Sequence, residues 1–338
     1  MMTALPSITG PSVWCGQDHA DSTAWIRPFR DNELAELDTA TAAIKARGLG
    51  PFDFGRADFP LPNLGPALTA LLTELEGGRG FTLLRGLPVS AYDETELDIL
   101  YAGLSTYLGR VITQNSRGDR IGRVADHGTD YGTRNVRGHT SNGAIAPHCD
   151  SSDLVGLLCV QSAGEGGESK VASAMTVYNT ILAEHPEYVA ALTRGFHINL
   201  AGKGPTGELN ECSQQRIPIF SYYAGKLSCR YNRKQILDAA QILNEALSDL
   251  EKAAIDAVGD VAMRDNVRLD MDFRPGDIQL LNNHCILHAR NAFQDEHAGG
   301  RRRRLLRIWI NMETGRALAP EFADRLNTGP RGEVHVRT

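Results

Sequence analysis

His148 and Asp150 are the residues of this chain from which chemistry can be read first. In an extended strand, side chains two apart share a face, so these two can hold one ion between them while Cys149 points away. A third donor is available far downstream in Asn283-His284-Cys285-Ile286-Leu287-His288-Ala289-Arg290, where His288 follows an apolar run. Two histidines and a carboxylate on one side of an ion leave its other side open, the donor set of non-haem Fe(II) oxygenases. A structural zinc site would close its fourth position, and no fourth ligand is evident.

Spacing alone does not single out this pair. His19-Ala20-Asp21 and His185-Pro186-Glu187 repeat the pattern, but the first lies in a polar lead-in. The second joins two helical patterns, where residues two apart do not share a face. Only His148 and Asp150 precede a strand-like run, Leu154 to Val160. His284 is read as structural, because the four residues to His288 span roughly 13 Å of strand.

The run Arg301-Arg302-Arg303-Arg304 leads directly into Leu305-Leu306-Arg307-Ile308-Trp309-Ile310. One reading of four consecutive arginines is a solvated turn or a nucleic-acid patch. Alternation, however, puts Arg303, Leu305, Arg307 and Trp309 on one face, so guanidinium groups point where a core or pocket belongs. A buried arginine needs an anion, and guanidinium grips a carboxylate bidentately, as a dicarboxylate cosubstrate beside a metal would require. Arg304 falls on the opposite face and is expected in solvent.

In order along the chain stand His148-Cys149-Asp150, Gly166-Gly167-Glu168-Ser169, Pro275-Gly276-Asp277, Asn282-Asn283 with Leu287-His288-Ala289-Arg290, and Arg303-Arg304-Leu305-Leu306-Arg307-Ile308-Trp309. Together they resemble the taurine dioxygenase-like Fe(II)/2-oxoglutarate-dependent oxygenases (the TauD/TfdA family), over roughly residues 80 to 315. The resemblance implies a mainly β fold with helical insertions, built on a double-stranded β-helix (jelly roll). It implies His148, Asp150 and His288 as iron ligands, and Arg303 and Ser169 as the grip on the distal carboxylate of 2-oxoglutarate. Arg307 matches a position that binds the substrate's anion, with support of the cosubstrate as the alternative. The implied reaction consumes O2 and oxidises, most simply hydroxylates, an unactivated C–H bond, releasing succinate and CO2. With Asp150 present, no ligand position is vacated for halide, which disfavours halogenation. The expected substrate is a small carboxylate-bearing molecule such as an amino acid or a natural-product intermediate. A non-catalytic metal-bound barrel that binds or senses a small molecule is the alternative.

These residues must be positioned by a chain of 338 residues with 42% apolar content, ordinary for a globular protein. We expect one oxygenase domain over 1–338, with a helical N-terminal extension at 1–78 and the β-helix core at 79–315. A net charge of −6 disfavours general nucleic-acid binding. No apolar run approaches the length of a membrane span, and no signal core opens the chain. Six irregularly spaced cysteines read as reduced thiols in a cytoplasmic protein. Homo-oligomerisation is compatible with the sequence.

Apolar spacing predicts helices from Asp31 to near Gly48, through Leu64 to Gly77, and from an Asp93/Glu96 capping box through Leu108. Phe81 to Gly86, Leu154 to Val160, Ser169 to Ala172, Ile217 to Tyr223 and Lys226 to Tyr231 read as strands. Two helices meet at Pro186, and one long amphipathic helix is expected from Leu237 to Gly259. The Gly-, Asn- and Arg-rich stretch from Gln114 to Pro147 reads as a lid or substrate-facing loop, with Asn115, His139 and Asn142 as candidate substrate contacts.

Overall fold

The computed structural model describes residues 6–128, 141–296 and 300–337. Its strands in chain order are β1 (Ile26–Pro28), β2 (Phe81–Arg85), β3 (Arg110–Ile112), β4 (Ile121–Val124), β5 (Ile145–His148), β6 (Leu154–Gln161), β7 (Glu165–Gly166), β8 (Ser169–Ser173), β9 (Phe220–Tyr223), β10 (Lys226–Cys229), β11 (Leu269–Met271), β12 (Ile278–Asn282), β13 (Ile286–Arg290), β14 (Phe293–Gln294) and β15 (Arg304–Asn311). A seven-stranded sheet runs β1-β2-β12-β6-β15-β3, with β4 also paired to β15, and a four-stranded sheet runs β11-β8-β13-β5.

The large sheet is apolar on both faces because it is covered on both. Leu306, Ile308 and Ile310 of β15, Leu154 and Leu158 of β6, and Ile278 and Leu280 of β12 pack into one core. Helices supply its other half. After the short α1 (Gln17–Ala20), these are α2 (Asp31–Ala46), α3 (Leu64–Gly77) and α4 (Glu94–Ser105). The alternate residues Leu305, Trp309, Val155, Cys159 and Leu281 face a second core that also contains Val171, Ile286 and Leu287 of the small sheet. The two sheets therefore face each other, and Gln279 of β12 reaches across to Ser169 of β8 (Nε2 to Oγ, 3.1 Å).

Two turns account for glycines that the sequence singles out. In Pro275-Gly276-Asp277, Gly276 has φ +89°, and a Cβ there would run into the Leu87 carbonyl oxygen. Asp277, fully buried, then takes Arg85 bidentately at 2.8 Å from both Nε and Nη2, locking the entry to β12 against β2. Gly167, at φ +80°, lies where a Cβ would come 3.0 Å from Arg303 Nε. Without a Cβ, the β7–β8 turn leaves room for the arginine beside it.

Several expectations need correction. The long helix after Leu237 is two, α7 (Arg233–Ile242) and α8 (Asp249–Ala262), following α5 (Ala174–Glu184) and α6 (Pro186–Arg194). Asn244 breaks it at φ +53°, and Ser248 with Glu251 forms a capping box that starts α8. The strand expected from Ile217 begins at Phe220. Within residues 1–78, β1 pairs in parallel with β2, so this segment contributes to the sheet as well as supplying helices. Helices hold more of the described residues than strands do, so the β character belongs to the core that carries the site. Of the stretch read as a lid, β4 joins the large sheet and β5 the small one, while His139 lies outside the described residues.

Candidate metal centre

His148 ends β5 and His288 lies mid-strand in β13, and these antiparallel neighbours place the two residues directly opposite each other. Asp150 follows two residues on, just past the strand end. The donor atoms of His148, Asp150 and His288 all lie within 4.8 Å of one another, the one such cluster among the described residues. His288 Nε2 stands 3.8 Å from Asp150 Oδ2, too far to hydrogen-bond but within reach of one shared ion at metal–ligand bonds of about 2.0–2.2 Å. Among the described residues, Asp150 Oδ2 is buried without a hydrogen-bond partner. The Nδ1 of His148 lies 2.9 Å from the Ala146 carbonyl, which assigns the proton to Nδ1 and leaves Nε2 as the acceptor a metal needs.

The electrostatics suit a cation. Burial pushes the His288 imidazole down to about 3, with His148 adding to the effect, so it stays neutral and ready to ligate. Burial alone would raise the Asp150 carboxyl, but Arg307, His288 and His148 outweigh it and hold it below the usual carboxylate range. A buried carboxylate oxygen, two neutral imidazoles and, among the described residues, no further His, Cys, Asp or Glu donor in the cluster fit an Fe(II) ion with open positions. Cys149 points away as alternation requires: its thiol contacts the Ile286 carbonyl.

A cavity opens from this cluster between the two sheets, and Ser169, Arg303, Arg307 and Trp309 line it. Arg303 is 5% exposed, stacks over Phe293 at 5.2 Å, and leaves Nη1 buried with no partner among the described residues. Burial lowers its proton affinity to about 10, so it remains charged. A buried guanidinium with an unmet donor fits a ligand carboxylate, and Ser169 brings a hydroxyl to the same cavity. Arg304, the first residue of β15, turns outward to Glu94, opposite to Arg303 as alternation requires, while Arg301, before the strand begins, pairs with Glu296 at the surface.

Arg307 gives Nε to Gln114 Oε1 at 2.8 Å, faces Asp150 Oδ1 with Nη1 at 3.8 Å, and lies over the Trp309 ring at 4.9 Å. Asn115 and Asn142 do not reach the cavity. Asn115 closes the turn between β3 and β4 by accepting the amide hydrogens of Arg117 and Asp119, a local bonding pattern that draws its side chain away from the sheets. Asn142 is exposed, and its carbonyl takes the Phe293 amide. Sequence reading missed the far wall, where Asn199 and Lys203 from a loop meet Asn232, Lys234 and Asp238 around the start of α7. No local pattern marks these residues.

Comparison with known proteins agrees with this geometry. The sequence model for the family described as taurine catabolism dioxygenase TauD, TfdA matches residues 45–309. FR-33289 synthase of Streptomyces rubellomurinus is 34% identical over 95% of this chain and 94% of that protein. The taurine hydroxylase-like protein SAT17 of Stachybotrys chartarum is 30% identical over 88% of this chain and 77% of that protein. Among solved structures, asparagine oxygenase with Fe(II), 3-hydroxyasparagine and succinate superposes with a TM-score of 0.66 at 15% identity, covering 85% of this chain and 93% of that one. The non-haem iron oxygenase OrfP with Fe, succinate and (3S)-hydroxy-L-Arg gives 0.61 at 14%, covering 85% and 94%; at this identity both likenesses speak for the fold. Fold and donor set define a non-haem iron oxygenase. The chain belongs to the TauD/TfdA family and is an Fe(II)/2-oxoglutarate-dependent oxygenase.

Proposed function

We propose that the chain hydroxylates an unactivated C–H bond of a small carboxylate-bearing substrate, an amino acid or a natural-product intermediate, from a single double-stranded β-helix domain in the cytoplasm. The observation that carries this reading is Arg303, which lines the same cavity as the His148, Asp150 and His288 cluster and keeps a buried Nη1 that no described residue satisfies. In this reading the three cluster residues hold iron, and Arg303 with Ser169 takes the distal carboxylate of 2-oxoglutarate. Iron and 2-oxoglutarate, when bound, supply the oxidation: one oxygen atom of O2 ends in succinate, the other in the product, and CO2 leaves.

The protein supplies placement and exclusion of water. The apolar Leu157, Phe273 and Leu305 line the cavity together with the cluster, a dry setting that strengthens each charged contact. Arg307 directs the remaining edge of its guanidinium to a substrate carboxylate, and Asp150 beside it keeps that cation from being neutralised by burial. That asparagine oxygenase and OrfP are solved with hydroxylated amino acids supports an amino-acid-like substrate. Six free thiols and the lack, among the described residues, of a helix long and apolar enough to cross a membrane support the compartment. Anaerobic titration with Fe(II) and 2-oxoglutarate, followed by a screen of acidic metabolites and amino acids reporting succinate, tests the reading. No succinate from the Fe(II)-loaded chain with any substrate would point to a binding protein instead.

A further inference from the structure

Asp150 lies beyond the end of β5, so no strand ladder holds its backbone. A buried polar assembly does. Asn283, 2% exposed, accepts the Asp150 N–H on Oδ1 at 3.0 Å and donates from Nδ2 to Ser152 Oγ at 3.2 Å. Its own N–H goes to the Asp153 carbonyl at 2.9 Å. These contacts tie the arc from Asp150 to Asp153 to the turn between β12 and β13, and β13 runs from that turn to His288.

Asp153 is the other end of the assembly. Its carboxylate, 1% exposed, meets His284 Nε2 at 2.9 Å on Oδ1 and accepts the Met312 N–H at 3.0 Å on Oδ2. Two guanidinium groups complete it: Arg325 Nη2 at 3.2 Å on Oδ1 and Arg331 Nε at 2.9 Å on Oδ2. Both arginines lie beyond residue 309, where the family match ends. A buried carboxylate with two cations and two further donors is a fixed point, since displacing it would strand several charges at once.

We propose that Asn283 is a positioning residue for Asp150, and that the C-terminal Arg325 and Arg331 hold Asn283 in place through Asp153. The inference rests on Asp150 being an iron ligand. None of the four residues lines the cavity, so each acts on the metal only through the backbone of the ligand arc. Such outer partners are worth about 10- to 100-fold in metal affinity.

The test is anaerobic titration of the full metal-free chain with Co(II), reading both affinity and ligand-field bands, alongside thermal melting without metal. Asn283→Leu should weaken Co(II) about 10- to 100-fold and shift the bands. Asn283→Asp keeps an acceptor for the Asp150 N–H and should recover most of the affinity. Arg325→Gln should weaken binding by a smaller factor with a shift in the same direction. An Asn283→Leu protein that melts lower yet binds Co(II) with wild-type affinity and bands has lost only stability, which overturns the proposal. Should that variant fail to fold, Arg325→Gln decides: unchanged affinity and bands overturn the proposal, and a loss sustains it. If the wild-type chain itself binds no Co(II), the metal-site reading fails instead.

Discussion

His148 and His288 face each other as cross-strand partners on β5 and β13, with ring centroids 4.1 Å apart and planes at 46°. Two imidazoles this close, both kept neutral by burial, are placed to share one cation. His288→Ala should therefore abolish Fe(II) binding and the weak visible band of the Fe(II) and 2-oxoglutarate complex. A band of unchanged position and strength in that variant would remove His288 from the site.

Arg303 and Arg304 are adjacent in sequence and opposite in consequence. Breaking a buried charged pair on one side costs about 2 to 5 kcal/mol, so Arg303→Ala should weaken 2-oxoglutarate by a factor on the order of 30 to several thousand. Arg304 reaches solvent beside Glu94, and Arg304→Ala should change little. Isothermal titration with 2-oxoglutarate on the metal-loaded chain ranks the two, and the opposite order would assign the cosubstrate to the wrong arginine.

Arg307 poses a different question, because it stands beside a metal ligand as well as in the cavity. Arg307→Ala should lower kcat/KM for the acidic substrate at least tenfold, the scale of one lost charged hydrogen bond at roughly 1.5–3 kcal/mol, while 2-oxoglutarate affinity stays nearly intact. Loss of 2-oxoglutarate with retained substrate affinity would hand Arg307 to the cosubstrate and withdraw the argument for an acidic substrate.

Acid should destabilise the metal-free protein well before carboxylates titrate. Burial holds His284 at about 4 and His288 at about 3 in the folded chain, against roughly 6.5 when unfolded. Between these values the unfolded chain binds more protons, so stability rises with pH and is lost as pH falls from about 6.5 toward 4. Urea unfolding at a series of pH values reads the slope. His284→Gln, which keeps a donor toward Asp153 without a titrating group, should flatten it. A metal-free protein equally stable across that range would contradict the burial of these imidazoles.

Much of the site was legible because its logic is local. Alternation along a strand is a property of neighbouring residues, so His148 could be paired with Asp150, and Arg303 set apart from Arg304, before any partner strand was known. The Asp93/Glu96 capping box and the turn at Pro275-Gly276-Asp277 were readable for the same reason. The break between α7 and α8 was readable too, in Asn244 and Ser248-x-x-Glu251, but apolar spacing carried across it and hid it.

Tertiary structure alone decided the rest. Sequence reading chose His288 over His284, but the cross-strand register that sets His288 opposite His148, and the Asp153 partner that His284 takes, belong to strands more than a hundred residues apart in sequence. The same holds for Arg307 beside Asp150, for the C-terminal arginines on Asp153, and for a far wall assembled from a loop and the first turns of α7. Asn115 had the right composition around it, yet its side chain closes a turn. Residue type and spacing determine what a side chain can do and which face of its strand it takes. Whether anything stands opposite that face is set by the packing of distant segments, which no local pattern encodes.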